Sequence, residues 1–293
     1  MRRPPPSDGA SADGPLAIVC GGGSLPLAVA DAVRRRGRDV LLFPVRGFAG
    51  PEVERFPCHW VALGQLGRIF RRARAAGCRD VVFIGALVRP SLAQLRFDWM
   101  TIRALPRLVR AFRGGDDHLL AGVARVFEDE GFRLVGAHEV APDLLLPEGV
   151  LGRRHPAERD RGDIAHALAL LAATGPFDVG QAAVVADRHV LAIEAAEGTD
   201  RMLERITALR QEGRIRAGAG IGVLVKAPKP GQDRRFDLPS IGPPTVTGVA
   251  RAGLAGLAAV AGATVVAEPE EVARRAEAEG VFVVGLPARG AGA

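Results

Sequence analysis

Lysine is nearly missing from this chain. Of 39 basic residues in 293, only Lys226 and Lys229 are lysine, and the rest are arginine. Tyrosine is absent, aromatic residues make up 5%, and no dense basic tract occurs. That argues against nucleic acid, whose binding proteins rely on stacking platforms and clustered cations. Cysteine occurs three times, at Cys20, Cys58 and Cys78, with no CxxC spacing. Such a count excludes a disulfide framework or a zinc site and fits a reducing compartment. The N-terminal arginines are followed by no apolar core before Pro15, unlike a signal peptide. The uncharged window 252–267 is mostly Ala and Gly, and too short to span a bilayer. HExxH, GxSxG, a Walker loop and a metallophosphatase-type His/Asp cluster are all absent. Acid–base and metal chemistry therefore falls to carboxylates. A cytoplasmic protein is expected, one still able to touch a membrane surface.

The length and a hydrophobic content of 48% suit two soluble domains of ordinary size. A net charge of +6 suits an anionic partner such as phosphate or an acidic membrane face. Residues 1–13 are polar and Pro-rich and read as a disordered tail. Residues 14–145 alternate strands and helices, a Rossmann-like βαβ pattern with a mostly parallel sheet. Residues 146–159, with Pro147, Gly149, Gly152 and Pro156, read as a linker. Residues 160–290 read as a second α/β domain with strands of mixed direction, including a hairpin with Asp187-Arg188-His189 between its strands. Strands are expected at 60–63 and 132–136, and a helix over 245–261.

Two turns in the first domain have the character of anion sites. Strand 16–20 meets Gly21-Gly22-Gly23-Ser24, and Leu25-Pro26 opens a helix. Glycines permit close backbone approach, Ser24 is a good N-cap, and a helix N-terminus favours anions. A dinucleotide fingerprint would need Gly at position 26, where Pro26 stands, and no acid is placed for a ribose. A nicotinamide-dependent oxidoreductase is thus a poorer fit, and a non-catalytic nucleotide-sugar or lipid-binding module is a third reading. Strand 80–86 ends in Gly85-Ala86, followed by Arg89, a phosphate ligand or a solvated loop residue. Both turns would lie on the carboxyl edge of the sheet, where ligands of open α/β sheets gather. Arg103, Arg107, Arg110 and Arg113 form a stripe, either a solvated face or an approach to acidic lipid.

The second domain holds the side-chain chemistry. Gly222–Val246 runs from a short apolar strand into a Pro-stiffened loop with Lys226, Lys229, Asp233 and Asp237. A compact ammonium kept at two positions in an arginine-rich chain suggests a role that a guanidinium fork would not fill. Glu194 stands among apolar neighbours and demands a partner. Thr199 either caps the following helix or binds substrate. These groups suit phosphate-ester or pyrophosphate chemistry, which needs mainly positioning and charge neutralisation.

Seven blocks together resemble the LpxI-type UDP-2,3-diacylglucosamine pyrophosphatases of Gram-negative bacteria. They are Ile18–Pro26; Phe83–Gly85 with Val88–Pro90; Gly115–Asp117; Glu130–Phe132 with Gly136–Glu139; Asp178–Gln181; Ala192–Asp200; and Val225–Pro230 through Asp237–Gly242. They run in family order over about residues 15–288, and the last two are the specific ones. The resemblance implies two α/β domains with the active site in a cleft between them. It implies Mg²⁺-dependent hydrolysis of UDP-2,3-diacylglucosamine to 2,3-diacylglucosamine 1-phosphate (lipid X) and UMP, in lipid A biosynthesis. By this resemblance Asp237 is catalytic and orients Mg²⁺ or water, while Lys226 and Lys229 balance phosphate charge. Gly22, Gly23, Ser24, Leu25, Gly85, Ala86, Arg89, Glu197, Thr199 and Thr245 are assigned to substrate binding. Asp116, Asp117, Glu194 and Asp233 remain candidates to complete the metal shell. Ala86 stands where family members often carry a polar residue. An acylated substrate also implies transient contact with the inner face of the cytoplasmic membrane.

Overall fold

The computed structural model describes residues 14–86, 96–112, 116–229, 233–236 and 238–288. The chain divides into two compact units, residues 1–142 and 143–293. Arg89 and Asp237 lie outside the described residues, as do the side chains of Arg107, Arg110, Asp116 and Asp117 and the whole of Arg113.

In the first unit the elements are β1 (Leu16–Cys20), α1 (Leu25–Arg35), β2 (Val40–Pro44), α2 (Leu66–Ala75), β3 (Asp80–Ile84), α3 (Trp99–Phe112), α4 (Asp116–Asp129), β4 (Arg133–Leu134) and α5 (Ala137–Val140). The sheet is parallel, in the order β2-β1-β3-β4. β1 and β2 are continuous apolar strands buried along their whole length, as strands covered on both faces must be. An aromatic cluster fills the core. Phe127 meets Phe70 edge-on at 4.7 Å and Phe83 at 5.1 Å.

Two expected strands of this unit are reduced. Residues 60–63 form no strand, only an isolated parallel bridge between Val61 and Val45. The segment still runs along the outer edge of β2, through Val61 N–H to the Pro44 carbonyl and His59 N–H to the Leu42 carbonyl. Pro44 and Pro57 bring no N–H to the pairing, so a regular ladder cannot form. The strand expected over 132–136 shrinks to the two residues of β4.

The second unit contains β5 (Gly149–Val150), α6 (Glu158–Thr174), β6 (Ala182–Ala186), β7 (His189–Ile193), α7 (Gly198–Gln211), β8 (Val223–Lys226), β9 (Ser240–Ile241), α8 (Pro243–Arg251), β10 (Gly256–Val260), β11 (Val265–Val266), α9 (Pro269–Glu279) and β12 (Phe282–Leu286). Its main sheet is mixed, in the order β5-β12-β10-β8-β6-β7. β12, β10 and β8 are parallel, while β5, β6 and β7 run antiparallel to their neighbours. Gly149–Val150, within the stretch read as a linker, are one of the two edge strands of this sheet.

Alternate residues of the sheet face opposite cores. Ala183, Val185, Val223 and Val225 pack with Ile164, Ala167 and Leu171 of α6. Ala182, Val184, Leu224 and Leu257 pack with Met202, Leu203 and Ile206 of α7, and with residues of α8 and α9. This is the period-two alternation of a sheet buried on both faces.

The helix expected over 245–261 is a helix and then a strand. α8 starts earlier, at Pro243, and stops at Arg251. Gly253 adopts φ +65°, and Leu254 N–H returns to the Val249 carbonyl, a left-handed C-terminal stop. The Gly256–Val260 run then becomes β10, hydrogen-bonded on both sides. Small residues suit that place. A Cβ on Gly256 would lie 2.4 Å from the Phe282 ring. The expected hairpin is present with a shorter turn, because His189 already pairs with Ala186 in β7; Asp187 and Arg188 form the turn, both at positive φ (49° and 63°). Neither is glycine. The buried Asp163 carboxylate accepts both of their N–H groups, at 3.0 and 2.7 Å, and holds the turn.

Candidate active site

In the second unit three strand ends meet at one edge of the sheet. β8 ends at Lys226. β6 runs antiparallel to it, so Ala182 lies opposite Lys226. β7 runs antiparallel to β6, so Ile193 lies opposite Ala183 and Glu194 leaves at the same edge. Gly180 N–H bonds the Glu194 carbonyl at 3.0 Å. A Cβ at Gly180 would collide with Glu194 at 2.6 Å, so this approach requires glycine.

The side chains at that edge form a hydrogen-bonded chain. Lys226, only 7% exposed, donates from Nζ to Thr199 Oγ1 at 3.0 Å and to the Ser240 carbonyl at 2.9 Å. Thr199 donates in turn to Glu194 Oε1 at 2.6 Å. The other oxygen, Oε2, accepts the Gln181 N–H at 2.8 Å. A hydroxyl thus stands between an ammonium and a carboxylate, accepting from one and donating to the other. Bonds to ionised partners are the short, strong kind. Thr199 therefore does not cap its helix, because its hydroxyl points into this chain of bonds.

Lys229 is arranged differently. It is mostly buried and pairs with the half-exposed Asp178. Asp178 is held in the left-handed conformation at φ 53°. Asp233 accepts the Arg235 N–H at 3.0 Å and pairs with the Arg235 guanidinium at 2.7 Å. Thr245 lies in the first turn of α8, where its Oγ1 accepts the Gly242 N–H at 3.4 Å. Glu197 pairs with Arg205 at 2.7 Å. A hydrogen bond from its own backbone, with Arg205 adding to it, holds its carboxyl below the usual range.

The two glycine turns of the first unit sit at the carboxyl edge of its sheet, after the adjacent strands β1 and β3. They are zipped together. Gly22 N–H bonds the Ala86 carbonyl at 2.9 Å, and Ala86 N–H bonds the Gly22 carbonyl at 3.1 Å. A Cβ at Gly21 would meet the Ala86 carbonyl at 2.6 Å, and Gly85 has φ +100°. These glycines serve turn-to-turn packing. Gly23 and Ser24 are exposed, and open space surrounds Gly23. Ser24 occupies the N-cap position with no capping bond, contrary to expectation, because its backbone is already helical there (φ −82°, ψ −14°). Leu25 is the first residue of α1.

Residues 15–144 match the model of the LpxI N-terminal domain, and residues 147–284 match that of the LpxI C-terminal domain. The chain is 44% identical over 271 residues to a Caulobacter vibrioides protein, across 92% of this chain and 97% of that one. That relative is the UDP-2,3-diacylglucosamine pyrophosphatase LpxI. The chain belongs to the LpxI family.

Of the candidates named from the sequence of this LpxI-family chain, the structure brings together Lys226, Thr199 and Glu194. Sequence reasoning passed over Gln181, Gly180, Asp178 and the Ser240 carbonyl as individual contributors. Three of these act through the backbone, which residue type does not advertise. Among the described residues no three His, Cys, Asp or Glu side chains converge on a metal-binding position. Glu194 is engaged at both oxygens, Asp178 by Lys229 and Asp233 by Arg235. Asp237, the acid assigned to Mg²⁺ by resemblance, lies outside the described residues. Mg²⁺ typically keeps several waters and takes only one or two carboxylates beside substrate phosphates, so it needs no larger cluster.

Proposed function

We propose that this protein hydrolyses the pyrophosphate bond of UDP-2,3-diacylglucosamine, giving 2,3-diacylglucosamine 1-phosphate and UMP, as a step of lipid A biosynthesis. What carries this reading is a buried lysine at a strand end, in a chain that matches both LpxI domains and a full-length relative. Water bonds to the phosphorus on the sugar side. The bond from that phosphorus to the bridging oxygen breaks, and UMP leaves with that oxygen.

The chain's own residues supply charge and position. Lys226 is a fixed cation in a poorly solvated place, where stabilising an added negative charge is worth more than in water. Thr199 and Glu194 hold its ammonium in one orientation, so little reorganisation is needed when phosphate charge develops. Lys229 adds a second cation three residues on. Asp237 holds Mg²⁺ or orients the attacking water. Bound Mg²⁺ would supply electrostatic screening of the two phosphates. Ser24 and Gly23 with the Gly85–Ala86 turn, Arg89, Glu197 and Thr245 contact the substrate.

The test is direct. Purified protein is given UDP-2,3-diacylglucosamine in detergent micelles with Mg²⁺, and products are followed by phosphorus NMR. Equimolar UMP and lipid monophosphate are expected, with solvent ¹⁸O entering the lipid phosphate. Label in UMP instead would overturn the assignment of the attacked phosphorus. Asp237→Asn should abolish turnover and weaken Mn²⁺ binding measured by EPR. Unchanged metal affinity would remove Asp237 from the metal's shell.

A further inference from the structure

We propose that the outward face of α3 docks reversibly on an anionic membrane surface. This deepens the reading above, since an enzyme acting on a diacylated sugar nucleotide must meet a substrate dissolved in lipid. The observation is an inverted pattern. Thr101 and Ala104 point inward, 2% and 8% exposed, with Thr101 Oγ1 bonded to Asp98. One helical turn round, Trp99, Ile102 and Arg103 share the opposite face. A solvated helix face should be polar. Here Trp99 is 75% exposed and Ile102 49%, and Phe97, just before the helix, is 45% exposed.

Charge decides what this face meets. Arg96 and Arg103 are exposed beside the apolar residues. Arg103 also lines a groove with Arg71 and Arg74 of α2, whose other lining residues include Phe70, Met100 and Glu130. Glu130 is taken by Arg74 at 2.6 Å. Asp98 accepts the Thr101 and Arg68 backbone N–H groups, so its charge serves the start of α3. Among the described residues no ion pair joins Arg71, Arg96 or Arg103 to a carboxylate. Exposed Trp beside Arg is the composition of a membrane–water interface: the indole sits at headgroup depth and arginine stems extend to phosphates. Anionic headgroups complement the cations, and so few apolar side chains give reversible attachment and no permanent anchor. Among the described residues no helix is long and apolar enough to cross a membrane.

Trp60 and Trp99 are the only tryptophans. Trp60 is held by Glu54 at 2.7 Å. In a Trp60→Phe variant, Trp99 emission should shift to the blue with phosphatidylglycerol-containing vesicles and be quenched by brominated acyl chains. Phosphatidylcholine vesicles should leave it unchanged. The parent protein should float with the anionic vesicles, and the double substitution Ile102→Asp, Arg103→Glu should cut that binding by roughly tenfold or more. The same double variant should hydrolyse micellar substrate at the parent's rate and vesicle-borne substrate about tenfold more slowly. Parent protein that stays in the soluble fraction with anionic vesicles overturns the proposal. So does a Trp99 shift that depends on protein concentration without lipid, which would assign the face to a second copy. If the parent cleaves no micellar substrate, the catalytic reading fails, while the docking proposal is still decided by flotation.

Discussion

The first unit buries an anion at the amino end of its sheet, and the second a cation at the carboxyl end of its parallel strands. In the first, Asp80 opens β3 at its amino end and is 2% exposed. It is gripped by Arg38 at 2.8 Å and by Arg133 at 2.7 Å. The carboxyl end of that sheet carries two glycine turns whose main chains bond one another. In the second, the buried cation is Lys226, at the carboxyl end of β8, linked to Glu194 through Thr199. Ligands of open α/β sheets gather at carboxyl ends. On that rule a buried ion at the amino end is expected to serve stability, and one at the carboxyl end chemistry. The cores differ to match. Phenylalanines lock the first unit, while Val, Leu and Ala fill the second and leave the polar chain at its edge as the feature requiring precise placement.

The sharpest break of this comparison is at these two buried ions. Lys226→Ala should lower kcat by about 10³, the scale on which one preorganised donor matters. Lys226→Arg should not restore it, because a planar fork does not reproduce a compact ammonium between the Thr199 hydroxyl and the Ser240 carbonyl. Steady-state release of UMP measures both. A loss under tenfold would make Lys226 structural and erase the distinction between the units.

Asp80→Asn is the counterpart. It leaves two guanidiniums facing a neutral amide and should destabilise the first unit by about 3 kcal/mol, with micellar kcat changed little. Urea unfolding followed by tryptophan emission reports on this unit alone, since Trp60 and Trp99 both lie in it. Burial pushes the Asp80 carboxyl up, but hydrogen bonds from Arg133 and Arg38 outweigh it and leave it below the usual range. The carboxylate's contribution is then fully present above its unfolded value of about 3.9. It is lost as pH falls through the lowered folded value. The parent's urea midpoint should fall across that acidic window, and the Asn variant's should fall less.

How much of this was legible beforehand divides along the same line. Continuous apolar strands such as 16–20, and a hairpin at Asp187-Arg188, were readable because burial and turn geometry are local, although His189 belongs to the strand and not to the turn. The Ala- and Gly-rich run after Thr245 was not. Helix-prone small residues became a central strand because Gly253 stopped the helix and β8 and β12 offered partners on both sides. The lysine pair was conspicuous as a departure from composition. Sequence could not say that Lys226 faces inward while Lys229 pairs with Asp178, because that depends on β6 running antiparallel to β8. Glu194 was recognised as needing a partner, and the structure supplies a backbone amide and a hydroxyl.

A smaller effect probes whether the polar chain acts as a unit. Glu194→Gln keeps an acceptor for the Gln181 N–H and should preserve the thermal midpoint, yet it removes the charge that orients Thr199 and Lys226. A fall in kcat of about 30-fold is expected, between the losses for a neutral and a charge-assisted bond. Combined with Lys226→Ala it should add little, since residues acting together are not additive. Independent losses in that double variant would mean that Glu194 works elsewhere, for instance on the metal.

The smallest effect concerns the first unit's turn. Ser24 is exposed, makes no capping bond, and stands beside Gly23 at φ +90° with open space around it. Removing its hydroxyl should leave stability within about 0.5 kcal/mol. If the turn contacts substrate through ground-state binding, Ser24→Ala raises KM by roughly three- to fivefold with kcat unchanged. Gly23→Ala adds a side chain where the backbone disfavours one, and should cost about 1 kcal/mol of stability as well. An unchanged KM in both variants would confine the turn to the packing role already visible between Gly22 and Ala86. All ligand recognition at that edge would then fall to the Gly85–Ala86 turn and Arg89. A fall in kcat without a change in KM would mean the opposite, that the first unit contributes to the transition state and the division of labour between the units is less clean.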